Sequence, residues 1–524
     1  MRDDEQVVPL PTDPAAAPPF TRQTWIAASI ILIVTTLLSK GMGFLRDILI
    51  AWYFGTSGQV DAFMVAVAVP TLVGGLGFAL SMAVIPAFRR ALATEGLDTA
   101  RELSSAAVAL TVAVSMVLML AIATGAPYLI RIFAPGLPAP DAALAAGLMR
   151  WLSLLVLCVN LFYVLGAIYN AMEHFTIPAV TDLASNVIVL AFLFLLAGRL
   201  GIAALAGGMV TGALVVVAAL TVPLAARRML AVSGRLWSPA IRRMVWLAGP
   251  VFAIEVLSQG TTLIENYFGA EAGTGVIASL GYAKRLSVMV VALVGTNIAR
   301  AVFPVMSRLA SEHSIDSARD LFSKLSRQYA IAFIPVSVLL AYFHDDVVRL
   351  VFARGAFDAA AAERTGAAFL YYSAGLALGA VVPMLIRTCY AFSDARAPLT
   401  GTVMQLVMMG VLNTLLAPRL GIVGIALSST LALLPPVLVM GRALAGHLGG
   451  LAVGPLLRTV AFSALAAGVA LVPLVAVSRG LDVPAGLAAV ALQTMLYLGV
   501  YVGGAFVVLP REMRSLVATL RRGE

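Results

Sequence analysis

The sequence predicts an all-α polytopic membrane protein of about 14 transmembrane helices, with two six-helix lobes in parallel repeat and a C-terminal helix pair. Three observations support this fold class. Hydrophobic residues make up 61% of the 524 residues and charged residues only 12%, with a mean hydropathy of +0.98, a composition suited to lipid rather than water. Long apolar runs recur along the whole chain. Similar fragments also reappear about 220 residues apart.

The apolar runs are each near the length of about 20 residues that an α-helix needs to cross about 30 Å of hydrocarbon. In chain order the predicted spans are 24–48, 61–87, 103–124, 144–171, 178–197, 203–223, 245–268, 276–306, 328–343, 366–392, 398–417, 422–440, 459–478 and 484–509.

These spans divide the chain into lobes and tails. Residues 1–23 are rich in Pro, Ala and acid and are predicted to form a disordered cytoplasmic tail. The N-lobe covers residues 24–223 with helices 1 to 6, residues 224–244 form a cytoplasmic linker, and the C-lobe covers residues 245–440 with helices 7 to 12. The final helix pair occupies 459–509, and 510–524 form a second cytoplasmic tail.

The basic residues predict the orientation of the chain. The tails and the even-numbered loops together hold 21 of the 35 Lys and Arg residues, whereas the odd-numbered loops hold seven. By the positive-inside rule both termini are cytoplasmic, as an even number of spans also requires. The net charge of +9 is therefore mainly a signal of topology, and it gives little support for binding to nucleic acid.

An internal repeat relates the two predicted lobes. The tetrapeptide RLGI occupies residues 199–202 and again 419–422, and Pro178 and Pro398 each follow a tyrosine-containing segment, 220 residues apart. Tyr53-Phe-Gly55 also matches Tyr267-Phe-Gly269, and VIPAFRR matches VFPVMSR. Because six helices return the chain to its starting side, the two lobes share one orientation, a parallel repeat found among transporters.

Charged residues within the first helix call for a polar environment, because an ionised side chain at the membrane centre costs roughly 2.5–3.5 kcal/mol even on insertion scales. Lys40 and Asp47 are seven residues apart and share a helix face, while Arg46 points about 120° away. A Lys40–Asp47 pair would leave Arg46 available to an anion. Alternatively, all three lie near a helix end and reach the headgroups. Asp61 opens the second helix, where it is equally well explained as an N-cap.

A second group of charges lies in the C-lobe helices. Lys284 and Arg285 have no acid within the following turn, so their partner is either Glu265 on the preceding helix or an anionic ligand such as a phosphate. An interfacial anchor is the alternative. Arg387 faces the cleft or marks a helix end, and Glu255 and Glu265 are either ion-coupling sites or partners of the nearby bases.

Enzymatic functions find little support in the sequence. The four histidines are scattered without the spacing of metal ligands, and no phosphate-binding G-x-x-x-x-G-K-[ST] loop is present. The acids and bases of loop 344–364 are explained as a solvated face. We therefore expect no catalytic residues, no metal and no cofactor.

The stretch SKGMGFLRD at residues 39–47, followed by AWYFGTSGQVDAF, resembles the amino-terminal signature of the MurJ (MviN) family. YAKRL around Arg285 and FARGAFD from Phe352 are similar to further segments of that family. The resemblance implies fourteen helices in two six-helix lobes plus a pair. It also implies flipping of lipid II, the undecaprenyl-pyrophosphate-linked peptidoglycan precursor, by alternating access across the bacterial cytoplasmic (inner) membrane.

The resemblance also implies roles for particular residues. By that resemblance Lys40, Arg46 and Arg285 would bind the diphosphate, with Asp61 as the acid at a helix start. From their own charge and position, Lys284 is a further candidate for binding the diphosphate, and Asp47 and Arg387 are candidates, with Asp61, for supporting or gating the site. With no nucleotide site, transport would be driven by the membrane potential or by a coupled ion, for which Glu255 and Glu265 are candidates. The expected partners are the lipid-linked glycan, membrane lipids and the machinery of cell-wall or polysaccharide synthesis.

Two departures from the family pattern leave open which lipid-linked headgroup the protein transports. Gly74 stands where the family usually has an arginine, and Val288 stands where lipid II flippases often carry an acid. A flippase for another lipid-linked oligosaccharide, such as an exopolysaccharide or O-antigen repeat unit, is therefore the alternative. A cation-coupled drug exporter fits less well because its cleft should be acidic, and a polytopic membrane enzyme would need a catalytic pair.

Overall fold

The computed structural model describes residues 25–230, 238–480, 487–510 and 512–514, and within these ranges all regular structure is helical. Most of the two predicted tails lies outside the described residues. The helices are α1 (Trp25–Phe54), α2 (Gly58–Thr94), α3 (Leu97–Phe133), α4 (Ala139–Leu152), α5 (Leu154–Ala171), α6 (Thr176–Leu200), α7 (Ala203–Ala226), α8 (Pro239–Ala272), α9 (Val276–Ser311), α10 (Ile315–Tyr342), α11 (His344–Phe352), α12 (Ala359–Ala374), α13 (Leu376–Ala391), α14 (Arg396–Leu420), α15 (Ile422–Leu431), α16 (Leu434–His447), α17 (Val453–Gly480) and α18 (Leu487–Val508).

Many of these helices are long and apolar enough to cross a membrane. Within the described ranges, ten spans satisfy length and composition, or eleven if α12 and α13, which meet at a 49° bend, form one broken span. The all-helical membrane fold is thus confirmed, while the count of 14 stays a prediction. Three further long helices, α1, α8 and α9, contain most of the charged residues that the sequence places within the membrane.

The chain forms two compact units, residues 1–274 and 275–524. Helix α8 packs against α2 and α3 and belongs to the first unit, whereas the sequence repeat assigns it to the C-lobe. The contact is close because Gly75 of α2 leaves room for the side chain of Glu255 of α8. The repeat-based lobe limits remain a prediction.

In the first unit, α2 is the central helix and packs against α3, α4, α5 and α8, while α6 packs against α1 and α7. Gly77 permits the closest approach of α5, since a Cβ atom there would lie 2.7 Å from the carbonyl oxygen of Asn160. The fully buried Tyr169 donates a hydrogen bond to the carbonyl of Leu220 at 3.0 Å, which ties α5 to α7.

In the second unit, α9 packs against α12 and α13, and α14 packs against α15 and α16. The final pair attaches to α10. Tyr497 and Tyr501 of α18 donate hydrogen bonds to the carbonyls of Pro335 and Ile331 at 3.1 and 2.8 Å. Pro335 leaves the carbonyl of Ile331 without its helical donor, because proline has no N–H.

The backbone repeats between the two units with the period seen in the sequence. Residues with positive φ recur 220 or 221 positions apart, in turns between successive helices. The pairs are Gly55 and Gly275, Glu173 and Ser393, Gly201 and Gly421, and Arg228 and Gly449. By this spacing the counterpart of Gly55 is Gly275, whereas the sequence match pairs Gly55 with Gly269, which lies inside α8.

Candidate functional site

The basic residues of α1 differ in their surroundings. Arg46 is half-buried, and its guanidinium lies 3.3 Å from a carboxylate oxygen of Asp47, which is 5% exposed. Lys40 is exposed. The suggested Lys40–Asp47 pair is therefore corrected to an Arg46–Asp47 pair, because the long arginine side chain folds back onto its neighbour. Asp47 thus contacts the guanidinium that we expected to be available to an anion.

Asp61 is 1% exposed and lies in the first turn of α2. The N-cap of this helix is Ser57, so the explanation of Asp61 as an N-cap is wrong. The side chain of Asp141 of α4 also lies against the first turn, directly beside Gly58. Two carboxylates therefore lie near the N-terminus of α2, where the helix dipole favours negative charge.

The predicted residues of the second unit lie on α9 and α13. Arg285 is exposed and Lys284 is half-buried, both within the first three turns of α9. Val288 is 56% exposed one turn after Arg285, so an apolar residue flanks this arginine. Arg387 is half-buried near the end of α13.

The two acids of α8 have different environments. Glu265 is 6% exposed. Glu255 is half-buried, and its Cγ atom would lie 2.6 Å from a Cβ atom built on Gly75 of α2. A side chain at position 75 would therefore displace Glu255.

A polar cluster that the sequence reasoning missed lies beside these residues in the first unit. The hydroxyl of Ser39 of α1 donates a hydrogen bond to Asp182 of α6 at 2.7 Å, and Asn186 of α6 lies 3.4 Å from the same hydroxyl. Tyr163 of α5 lies within electrostatic range of both Glu255 and Asp182. The sequence signal that could have revealed this cluster is the pair Asp182 and Asn186, four residues apart in an otherwise apolar span.

A buried hydrogen-bonded network joins three helices of the same unit. The side chain of Asn160 of α5 accepts a hydrogen bond from the backbone N–H of Gly77 at 2.7 Å and donates one to Ser115 of α3 at 3.0 Å. Asn160 is fully buried. Because both of its polar atoms are satisfied, the network specifies how α2, α3 and α5 pack.

Comparisons with known proteins decide the family. The family model described as lipid II flippase MurJ matches residues 50–483. The chain belongs to the MurJ lipid II flippase family. A "Probable lipid II flippase MurJ" from Rhizobium tropici is 26% identical over 76% of each chain.

Solved structures support the same fold. The inward closed conformation of a lipid II flippase MurJ superimposes with a TM-score of 0.79 at 19% identity, covering 91% of this chain and 98% of that chain. An inward-facing multidrug resistance MATE family transporter of the MOP superfamily gives 0.63 at 15% identity, covering 80% and 98%. At these identities the likeness establishes the fold. The predicted family is confirmed, and it is a family of transporters rather than enzymes.

The family match has consequences for the site. It begins at residue 50 and so includes Arg285 but not the α1 charges. The roles of Lys40, Arg46 and Asp47 consequently rest on the resemblance of the SKGMGFLRD motif and on their positions in α1. Gly74 stands where the MurJ family usually has an arginine. A Cβ atom at this position would lie 3.0 Å from the side chain of Val159 of α5. A larger residue at position 74 would therefore require the side chain of Val159 to shift by a few tenths of an ångström.

Proposed function

We propose that this chain moves lipid II from the inner to the outer leaflet of the bacterial inner membrane, by alternating access, as a step of peptidoglycan biosynthesis. The observation that carries the proposal is the match to the MurJ family over residues 50–483. The substrate is a lipid-linked glycan, and membrane lipids are its surroundings. The machinery of cell-wall synthesis is the expected supplier and consumer of that substrate.

The chemistry of the diphosphate accounts for the basic residues. A guanidinium binds two phosphate oxygens at once through its planar fork, so Arg46 and Arg285 are the proposed ligands, with Lys40 and Lys284 as additional positive charges. Arg46 lies about 12 Å along α1 from its end, and Arg285 about 14 Å along α9 from its start, at 1.5 Å per residue. The predicted topology makes each of these helix ends extracytoplasmic.

Supporting roles follow from the surroundings of the other residues. Asp47 holds the guanidinium of Arg46, which fixes its direction before substrate arrives. Asp61, near the N-terminus of α2, and Arg387 on α13 are proposed to support or gate the site. Val288, one turn after Arg285, contributes no charge of its own beside that arginine.

Transport also needs an energy source. We propose the membrane potential or a coupled ion. For ion coupling, Glu255 and Glu265 are the predicted sites, and Asp182 joins Glu255 as a candidate because Tyr163 interacts electrostatically with both. Acidic residues inside a membrane persist mainly where they face water, an opposite charge or a ligand, so a coupled cation would bind at these carboxylates.

The test is rescue of a strain depleted of its lipid II flippase, at matched membrane expression. Wild-type protein should restore growth, and Arg46→Ala and Arg285→Ala should not. Arg199→Ala is the matched control, because Arg199 is exposed at the end of α6 and should not affect rescue.

A flippase for another lipid-linked oligosaccharide is the second candidate, favoured by Gly74 and Val288 at positions where the family usually carries charges. Well-expressed wild-type protein would then fail to rescue the depleted strain but would restore surface polysaccharide in a strain that lacks its exopolysaccharide or O-antigen flippase. Failure in both strains would contradict both candidates.

A further inference from the structure

A cavity of about 540 Å³ lies in the first unit among the ends of α2, α3 and α8. The topology predicted from the basic residues places these ends on the cytoplasmic side. The volume is within the range of small-ligand sites. Its lining comes from the last turns of α2, the first turns of α3 and the first turns of α8, so any ligand would touch all three helices.

The cavity contains charges of both signs. Arg90 of α2 and Arg243 of α8 supply two guanidinium groups, and Glu95 and Glu102 supply two carboxylates. All four are exposed, and in the part of the chain that the structure describes none of them forms an ion pair. Two bases and two acids that line one cavity without pairing can bind a ligand that carries both charges.

The rest of the lining is mostly apolar and contains no aromatic residue among the described residues. Most of these apolar residues are alanine or proline, with Leu103, Met244 and Leu247 as the larger ones, and Thr99 and Ser238 add two hydroxyls. Leu247 is 49% exposed and the adjacent Trp246 is 78% exposed. Tryptophan is enriched at the membrane–water interface, so the exposed Trp246 supports a position of this end of α8 at the depth of lipid headgroups.

We propose that this cavity binds the headgroup of a phospholipid whose phosphate is joined to a primary ammonium group, a phosphoethanolamine. Arg90 and Arg243 bind the phosphate, Glu95 and Glu102 bind the ammonium, and the apolar lining contacts the glycerol and the first acyl carbons. An anionic lipid would leave the two carboxylates facing negative charge. A trimethylammonium headgroup cannot donate hydrogen bonds to carboxylates and is bound best by aromatic rings, which this cavity lacks.

The bound lipid would join α8 to α2 and α3 at the cytoplasmic surface. Its effect is therefore on the stability of the first unit, and the inference does not depend on which glycan the protein transports. Basic pockets between helices on the cytoplasmic side commonly bind lipid headgroups, and the acidic residues make this one selective for a zwitterion.

The experiment is native mass spectrometry of the full-length protein, purified in detergent and titrated with phosphatidylethanolamine, phosphatidylglycerol or phosphatidylcholine of matched acyl chains. Wild-type protein should bind phosphatidylethanolamine most tightly. Arg243→Ala and Arg90→Ala should each weaken that binding by about tenfold, as expected for loss of one charged hydrogen bond. Arg242→Ala is the control, because Arg242 is also exposed, at the preceding position of α8, but does not line the cavity.

A second variant and a soluble ligand test the proposal further. Glu102→Gln keeps the shape of the side chain, so it should fold normally and reduce the preference for phosphatidylethanolamine over phosphatidylglycerol. Glycerophosphoethanolamine, the soluble headgroup, should bind much more weakly than the lipid, and equal binding would overturn the assignment of a membrane source. Equal affinity for all three lipids, or equal loss in Arg242→Ala and Arg243→Ala, would overturn the site itself.

Discussion

Asp47 shows how a single buried residue can have both a structural and a functional effect. Its carboxylate lies against Arg46 and is almost fully buried, so removing its charge leaves a guanidinium without this partner in a membrane helix. Breaking a buried ion pair from one side costs up to about 3–5 kcal/mol, and less here because the Arg46 side chain is 22% exposed.

We therefore expect Asp47→Asn to lower the melting temperature of the purified protein and to weaken rescue of the depleted strain. The double variant Arg46→Met with Asp47→Asn removes both charges, and its melting temperature should recover toward wild type while rescue is lost. If the double variant rescued growth, the role of Arg46 in binding diphosphate would be contradicted.

Gly77 provides a second test at the residue scale. A Cβ atom there would meet the backbone of Asn160, so alanine must separate α2 from α5 and stretch the Gly77–Asn160 hydrogen bond. Overpacking of this kind costs about 1–3 kcal/mol. Gly77→Ala should lower the melting temperature measured in detergent. Gly147→Ala on α4, with nothing within 4 Å of its Cβ, should keep or raise it.

At the scale of elements, the turn between α13 and α14 is connected to the end of α16. Burial alone raises the pKa of Asp394. The backbone N–H of Ala397, the ring of His447 and the N–H of Arg396 outweigh burial, because all three lie within 3.1 Å of its carboxylate. The pKa of Asp394 is therefore held below its ordinary 3.8. Phe392 stacks on His447 with ring centres 5.4 Å apart.

The lowered pKa of Asp394 determines the sign of the pH effect. Ionised Asp394 stabilises the folded state above pH 3.8, and this contribution is lost as the pH falls below 3.8 through the folded-state pKa. Asp394→Ala should cost about 1 kcal/mol at neutral pH. Melting curves in detergent from pH 3 to 7 should show a smaller loss on acidification in this variant than in wild type. Asp316→Ala, at a side chain 92% exposed, should follow wild type.

The sequence predicts the helices themselves but not the contacts between them. The helices were predictable because a long apolar run by itself indicates a segment that lies in lipid or in the protein interior. Arg46 and Asp47 were recognisable as charged residues within such a run. The Ser39–Asp182 hydrogen bond joins residues 143 positions apart and depends on how α1 packs on α6, which no local pattern contains. The close packing of α8 on α2 depends on space beside Gly75, which is a property of two helices together.

At the scale of the whole molecule, the repeat gives a stronger argument for topology than composition does. Turns with positive φ recur at matched positions in both units, so the helices between those turns correspond. Helix α8 then corresponds to α1, and α9 corresponds to α2, which is apolar enough to cross the membrane. The charges that lower the hydropathy of α8 and α9 therefore do not argue against their crossing, because charges facing a polar cleft are compatible with a membrane span.

Crossing by α8 and α9 can be measured by cysteine labelling. Arg242 and Glu312 lie at the predicted cytoplasmic ends of α8 and α9, and Glu271 lies in the last turn of α8, at the predicted outer end; each is changed to Cys. All three positions are exposed. In intact cells a membrane-impermeant maleimide should label Glu271→Cys alone, and permeabilisation should expose the other two. The natural thiols Cys158 and Cys389 are buried and should give little background. Labelling of all three positions from one side would show that these helices do not span, and the count of 14 would fall by two.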